Sequence, residues 1–269
     1  MKKEKKYRMA WKGSAGNLLV KCTFLLLLLS CRSPKDIDQK YTNPGDNKAH
    51  SRLQLAIQIL YEEHDTAQFK NAFNYLKKAS EHNSNAAYII GFELIHGRLF
   101  RRDIKQGLRY LRSASSLGNT DAIRTLGEYE FSLGNWTESI KFLEKADSLK
   151  DYHASYDLYL IYQHGRLYYS SIAGDVKNME LIDGEKAILY LQRAADAGSV
   201  DAQLDLGRYY LLGNTGFISV DIPKAKTYLR MAYNNEDMLY TPGKMDDLEF
   251  LIVENVTLGD KTWIEWLME

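Results

Sequence analysis

The same short arrangement of apolar positions returns five times along this chain: an aromatic residue, a leucine, two further residues and an alanine. It stands at Tyr75-Leu76 to Ala79, Tyr110-Leu111 to Ala114, Phe142-Leu143 to Ala146, Tyr190-Leu191 to Ala194 and Tyr228-Leu229 to Ala232. Residues three and four apart share one side of a helix. The closing alanines are 35, 32, 48 and 38 residues apart, and a period in the thirties is that of stacked helix pairs. The pattern predicts an all-α solenoid of about five antiparallel helix pairs over residues 51–236, closed by capping helices over 237–269.

The fifth unit carries the fullest set of signals. Ala202, Leu206 and Tyr210 recur every four residues, one apolar helical stripe. Gly207 lies inside that helix, where glycine costs about 1 kcal/mol relative to alanine, so a neighbouring helix is expected to press close there. Gly213 is expected to end the helix in a left-handed conformation. Asp221 is expected to cap the next helix, its carboxylate accepting from free backbone N–H groups. The other units follow this template. Asp103, Asn135 and Asp183 take the place of Asp221, and Gly91 and Gly127 that of Gly207. Unit four has Tyr159 there instead, which predicts a wider or shifted packing. Asn83, Gly118 and Gly198 are the expected left-handed helix ends of units one, two and four; Lys150 and Glu236 stand at that place in units three and five.

Leu206-Gly207, Tyr210, Gly213, Asp221 and Lys224-Ala225 resemble the Sel1-like repeat, a relative of the tetratricopeptide repeat. So does the run from Asp183 to Gly198, with Lys186-Ala187 and Ala194-Ala195. Unit three, with Leu126-Gly127, Gly134, Ser139 and Ala146, is closer to tetratricopeptide spacing. The resemblance implies a right-handed superhelix whose first helices line a concave groove, and a role in binding a peptide or protein. Mapped by the close-contact position, it places Tyr88, Phe92, Arg124, Glu128, Phe131, Tyr156, Gln163 and Arg208 in that groove as partner-binding residues. Aromatics combined with arginine are the usual chemistry of interface hot spots; tyrosine, at 19 copies, is equally a filler between helices.

Unit four carries an insertion. Gly165 to Ala187 spans 22 residues, against 12 from Gly213 to Ala225 and 10 from Gly97 to Gly107. The excess includes Tyr168-Tyr169-Ser170-Ser171-Ile172. Insertions in repeat arrays map to one face, often the binding face, although a tolerated surface loop has the same spacing. His96-Gly97-Arg98-Leu99 and His164-Gly165-Arg166-Leu167 repeat one tetrapeptide at the ends of two first helices, as turn chemistry or as a shared ligand contact. Trp263 and Trp266 read as packing of the C-terminal cap.

Charge changes the picture at the N-terminus. Net charge is zero, yet residues 1–30 hold seven basic side chains and one acidic, leaving 28 basic against 34 acidic in the remainder, about −6. No basic footprint for nucleic acid is present. The basic stretch is followed by Cys22 to Leu29, an apolar run of eight residues. As a helix it would rise about 12 Å, short of a bilayer's roughly 30 Å core, which fits a signal peptide over 1–30. Leu28-Leu29-Ser30-Cys31 resembles the lipobox of bacterial lipoproteins, which implies cleavage before Cys31 and lipidation of its thiol. Leu29 is a less usual residue in that motif, and a start at Met9 would give a more ordinary leader length. A plain secreted protein is the competing reading. Residues 31–50, polar and broken by Pro34, Pro44 and Gly45, read as a flexible tether.

Little in the chain carries catalytic chemistry. The six histidines form no HExxH or HxH arrangement, no glycine-rich phosphate loop follows a strand, and a single mature cysteine leaves no disulfide or cysteine metal site. The expectation is therefore no enzyme, no cofactor and no metal. The reading is an interaction module lipid-anchored in a bacterial envelope, at the outer membrane, facing the periplasm or the surface, with a protein or peptide partner. An immunity protein that neutralises a toxin effector, or a glycan-binding lipoprotein with tyrosines on sugar rings, remain alternatives.

Overall fold

The computed structural model describes residues 47–63, 68–168, 170–213, 217–239 and 243–269. The expected signal peptide, Cys31, most of the expected tether and His64 lie outside the described residues. Unit one pairs α1 (Asn47–Ile57, continued by a π-helical turn Gln58–Glu63) with α2 (Phe69–Ala79). Unit two pairs α3 (Ser84–His96) with α4 (Ile104–Ser116), and unit three α5 (Thr120–Ser132) with α6 (Trp136–Ser148). Unit four pairs α7 (Tyr152–His164) with α8 (Gly184–Asp196), and unit five α9 (Val200–Leu212) with α10 (Ile222–Asn234). Helices α11 (Lys244–Asn255) and α12 (Trp263–Met268) follow. Each helix packs mainly on its partner within the unit, and each second helix then packs on the first helix of the next unit, as a solenoid requires. Among the described residues no helix is long and apolar enough to cross a membrane.

The repeated residues are the packing residues. Leu76, Leu111, Leu143, Leu191 and Leu229, with their closing alanines, are fully buried. In units four and five the leading tyrosine of the pattern stacks on a tyrosine of the first helix: Tyr190 on Tyr162 at 5.6 Å and Tyr228 on Tyr210 at 5.7 Å, nearly parallel. Lys186 and Lys224 lie over the same first-helix rings.

The close-contact glycines do what their position implies. A Cβ on Gly91 would meet Leu111 at 2.8 Å and the Gly107 carbonyl at 2.9 Å, and one on Gly207 would meet Leu229 at 2.3 Å. Tyr159, the residue at this place in unit four, is 2% exposed, and its hydroxyl lies 2.8 Å from that of Tyr209 on α9. Helix α7 still packs along α8.

Three of the four second-helix caps form as expected: Asp103, Asp183 and Asp221 accept from Gln106, Lys186 and Lys224 amides. Asn135 does not; its side-chain amide donates to Glu130 instead. Gly118 and Gly198 have positive φ, but Asn83 does not (φ −130°). Asn83 caps α3 rather than ending α2, accepting from the Ala86 amide, because α2 already stops at its closing Ala79, whereas α4 and α8 run on past theirs to Ser116 and Asp196. Lys150 adopts φ 68°, so the chain path of unit three imposes the left-handed turn without a glycine. Gly213 also has positive φ, but with ψ 154° it is extended rather than helical.

The C-terminal helices close the last unit. Leu248, Ile252 and Leu267 are fully buried, Trp266 is 9% exposed beneath Lys226, and Trp263 meets Tyr233 edge-on.

Candidate partner-binding face

The first helices α3, α5, α7 and α9 form one layer, joined by side chains that sequence periodicity alone does not pair. At their N-termini a row of polar residues caps and links the units. Buried Asn119 accepts from the Ala122 amide and donates to Asn85 of the preceding unit at 2.8 Å. Asp151 and Ser199 cap α7 and α9. These caps went unassigned at the sequence level, although a small polar residue two or three positions before an alanine is their signal.

Along the layer lie three sectors. In the first, Tyr88 (8% exposed), Phe92 and His96 stack in succession, with ring centroids 5.6 and 4.1 Å apart. Arg98 lies over Phe92 and donates to buried Glu93 at 2.8 Å. His96 Nδ1 faces the Phe92 carbonyl at 2.8 Å, and that acceptor assigns it the proton; Nε2 then accepts from the Ser171 hydroxyl at 2.8 Å.

The second sector is a charge cluster. Arg124 pairs with Glu128 at 2.5 Å, Asp121 at 3.4 Å and Asp151 at 3.9 Å. Burial alone would lower the guanidinium pKa, but the carboxylates, Glu128 first, outweigh it and push it well up. Asp157 completes the cluster. Burial first, then the neighbouring Glu128 charge, raise its pKa well above the usual carboxylate range. Phe131, on the same helix, is fully buried edge-on to Trp136 at 4.9 Å. It is enclosed in the core and offers no surface to a partner.

The third sector is aromatic and half open. Tyr156 donates to Asp205 at 2.9 Å, and Arg208 holds the same carboxylate at 2.7 Å. Arg208 also lies over Tyr209. Burial raises the Asp205 pKa against these two partners, and lowers that of His164, favouring the neutral imidazole. His164 meets Tyr168 edge-on at 5.2 Å, and Arg166 covers the Tyr168 ring at 4.3 Å. Gln163 is partly exposed.

Of the eight groove residues expected from sequence, Arg124 and Glu128 form one cluster, Tyr88 and Phe92 one stack, and Tyr156 and Arg208 meet at Asp205. The two His-Gly-Arg-Leu segments each turn on a left-handed glycine, Gly97 (φ 70°) and Gly165 (φ 66°), and their histidines both face this layer. Among the described residues no group of three or more His, Cys, Asp or Glu is placed to hold a metal ion.

The insertion of unit four returns over this face. Arg166 and Lys177 form an antiparallel bridge, and the Asn178 amide donates to the Gly165 carbonyl at 2.7 Å, closing a neck. Beyond it Ser170 donates to Glu128 at 2.6 Å, Ser171 meets His96, and Ile172 packs against the core of the N-terminal units. The segment therefore crosses back over unit three to unit two.

The Sel1 repeat family matches this chain at residues 53–84, 84–119, 158–199 and 200–237, more than half of its length. The stretch between 119 and 158, the unit with tetratricopeptide spacing, lies between those matches. A crystal structure of a Sel1 repeat protein from Oxalobacter formigenes has a TM-score of 0.59 at 21% identity, covering 94% of this chain and 96% of that one. More distant likeness is found to c5321, a protective antigen present in uropathogenic Escherichia coli strains (TM-score 0.39, 17% identity, 81% of this chain and 52% of that one). It is also found to the immunity protein Pa5087 from Pseudomonas aeruginosa (TM-score 0.40, 17% identity, 78% and 90%).

Proposed function

Because the chain belongs to the Sel1 repeat family, whose repeats generally serve as protein-interaction modules, we propose that it binds a peptide or protein segment along its first-helix face. One observation carries this reading. In the third sector Arg208 and Tyr168 are each 49% exposed, yet Arg208 is held by a hydrogen-bonded base of Tyr156, Asp205, Tyr209 and buried Tyr159, to which Tyr168 connects through His164. Half-exposed aromatic and guanidinium groups fixed from below lose little conformational freedom on binding, which is how such groups become hot spots. A non-catalytic role is part of the proposal.

The second half of the proposal is location. The lipobox-like Leu28 to Cys31 would tether the array to a bacterial envelope membrane through a lipid on Cys31. The acidic balance of residues 31–269 would favour basic or mixed-charge partners modestly.

Co-purification from detergent-solubilised membranes tests the first half. The wild-type chain is expected to retain a protein partner that Arg208→Ala retains at least tenfold less well. If no protein partner is retained while a glycan array gives hits, the peptide-binding reading is wrong. For the anchor, Cys31→Ala is expected to move the protein to the soluble fraction, and unchanged membrane retention would refute the lipid.

A further inference from the structure

We propose that the tip of the unit-four insertion, Ser170 to Val176, is a displaceable internal occupant of a peptide site on α3 and α5, so that the array carries its own competing ligand. The inference rests on the reading of this layer as a binding face, and it assigns the chemistry of one part of that face.

The construction of the segment separates a fixed neck from a lightly held tip. At the neck, the Arg166–Lys177 bridge and the Asn178-to-Gly165 hydrogen bond tie the two strands. A Cβ on Gly165 would stand 2.4 Å from the Asn178 carbonyl, so the strands approach closely there. Leu167 at the base is 1% exposed, and the Asp183 amide returns the chain to α7 through the Tyr162 carbonyl. A closed neck makes the tip a compact loop whose displacement leaves both flanking helices in place.

The tip touches the array through small side chains and through Ile172 and Val176, which pack at the edges of the two cores. Ser170 accepts from the amides of Ile172 and Ala173, which shapes the turn, and its hydroxyl donates to Glu128 Oε2. Ser171 donates to His96 Nε2, Ile172 is half-buried against the N-terminal core, and Ala173 is buried. A turn with hydroxyl, hydroxyl and aliphatic side chains in sequence is thus already seated on the layer. The wall beneath is preformed: Arg124 holds the other oxygen of Glu128, and the Phe92 carbonyl fixes the His96 ring.

The same cluster is incompletely satisfied with the tip in place. Asp157 Oδ2 and Arg124 Nε are buried with no hydrogen-bond partner. Buried polar atoms of this kind ordinarily find partners, and the tip serines bond Glu128 and His96 instead. A competing segment with the same hydroxyl–aliphatic pattern and one longer polar side chain suits the site better than the tip does. The ligand class is therefore a short turn-forming peptide with two consecutive hydroxyl residues followed by an aliphatic one.

The test uses three proteins: the full chain, a variant with residues 168–175 replaced by Gly-Gly, and Ser170→Ala/Ser171→Ala. Gly-Gly is the loop length an antiparallel bridge accepts, so the neck closes without the tip. The probe is a synthetic peptide copying residues 170–177, titrated to millimolar concentration against isotope-labelled protein by NMR. The shortened variant is expected to show saturable shifts at His96 and around Glu128. The full chain is expected to need several-fold more peptide for the same shifts, because its own tip competes at an effective concentration in the millimolar range. Equal binding to both proteins, or none to a shortened variant that retains wild-type helicity, would overturn the proposal.

Hydrogen exchange gives a second reading that does not depend on the shortened variant folding. In the full chain the Ile172 and Ala173 amides are expected to exchange about a hundredfold faster than those of Asn178 and Asp183, and faster still in the double serine variant. Equal protection of tip and neck would show that the tip opens only with the array and refute displacement. The two readings also separate. If a membrane partner is retained and Arg208→Ala weakens it, but the peptide fails, the binding face stands and the occupant does not. If the peptide binds the shortened variant more tightly than the full chain while no membrane partner is found, the reverse holds.

Discussion

Replacing Gly91 with alanine tests whether helix pairs in this array are held apart by backbone contact. Alanine should favour the helix by about 1 kcal/mol at an exposed interior position. Here the added Cβ would lie 2.9 Å from the Gly107 carbonyl and 2.8 Å from Leu111 Cγ. The relation is mutual, since a Cβ on Gly107 would lie 2.8 Å from the Gly91 carbonyl. Both are roughly half an ångström inside ordinary contact in a close-packed interior, and a carbonyl cannot rotate away as a side chain can. Overpacking of this kind costs about 1–3 kcal/mol. Set against the propensity gain, Gly91→Ala is expected to destabilise by about 1 kcal/mol, and up to about 2 if α3 and α4 cannot separate. Urea unfolding with an unchanged slope is the assay. Gly207→Ala is expected to cost less, because atoms within 3 Å of its Cβ belong to the Leu229 side chain alone. The Gly91→Ala/Gly107→Ala double variant should cost less than the sum of the two, since one separation accommodates both methyls. Gly91→Ala at or above wild-type stability would refute the reasoning.

Lys150→Gly should stabilise by about 1 kcal/mol, read as a raised urea midpoint, because Lys150 holds φ 68° where a Cβ is strained. Asp157→Asn is expected to stabilise the protein at neutral pH and to flatten its pH profile. The raised Asp157 pKa means that its contribution is full below the unfolded-state value and is lost as pH rises through the folded-state value, so wild type should weaken with rising pH over that window and the variant should not. Melting curves across that window, with equal slopes for both proteins, would count against it. Phe131→Ala is expected to cost about 3–5 kcal/mol by leaving a cavity, whereas Phe131→Leu should leave the affinity of any retained partner unchanged.

What periodicity could determine was the architecture. The leucine and alanine of each repeat recur because a helix pair buries one stripe, so the positions that fill the core, the glycines at close contact and most second-helix caps are legible one unit at a time. The caps of the first helices were less legible: Asn83 reads as a helix end when the preceding helix is assumed to run as far as its counterparts, and becomes the next helix's cap because that helix stops at Ala79. The groove residues divided for the same reason. Tyr156 and Arg208 lie 52 positions apart, and nothing in their spacing reveals that Asp205 joins them. Phe131 shares its helical stripe with Glu128, yet Trp136 closes over it. The insertion was visible as extra length, but its direction was not. Its return across unit three to His96 depends on a neck closed by backbone hydrogen bonds and on contacts 42 and 75 residues away in sequence. Local spacing sets what each helix buries against its neighbour, whereas which side chains meet across units depends on how the units stack, and only the tertiary structure decides that.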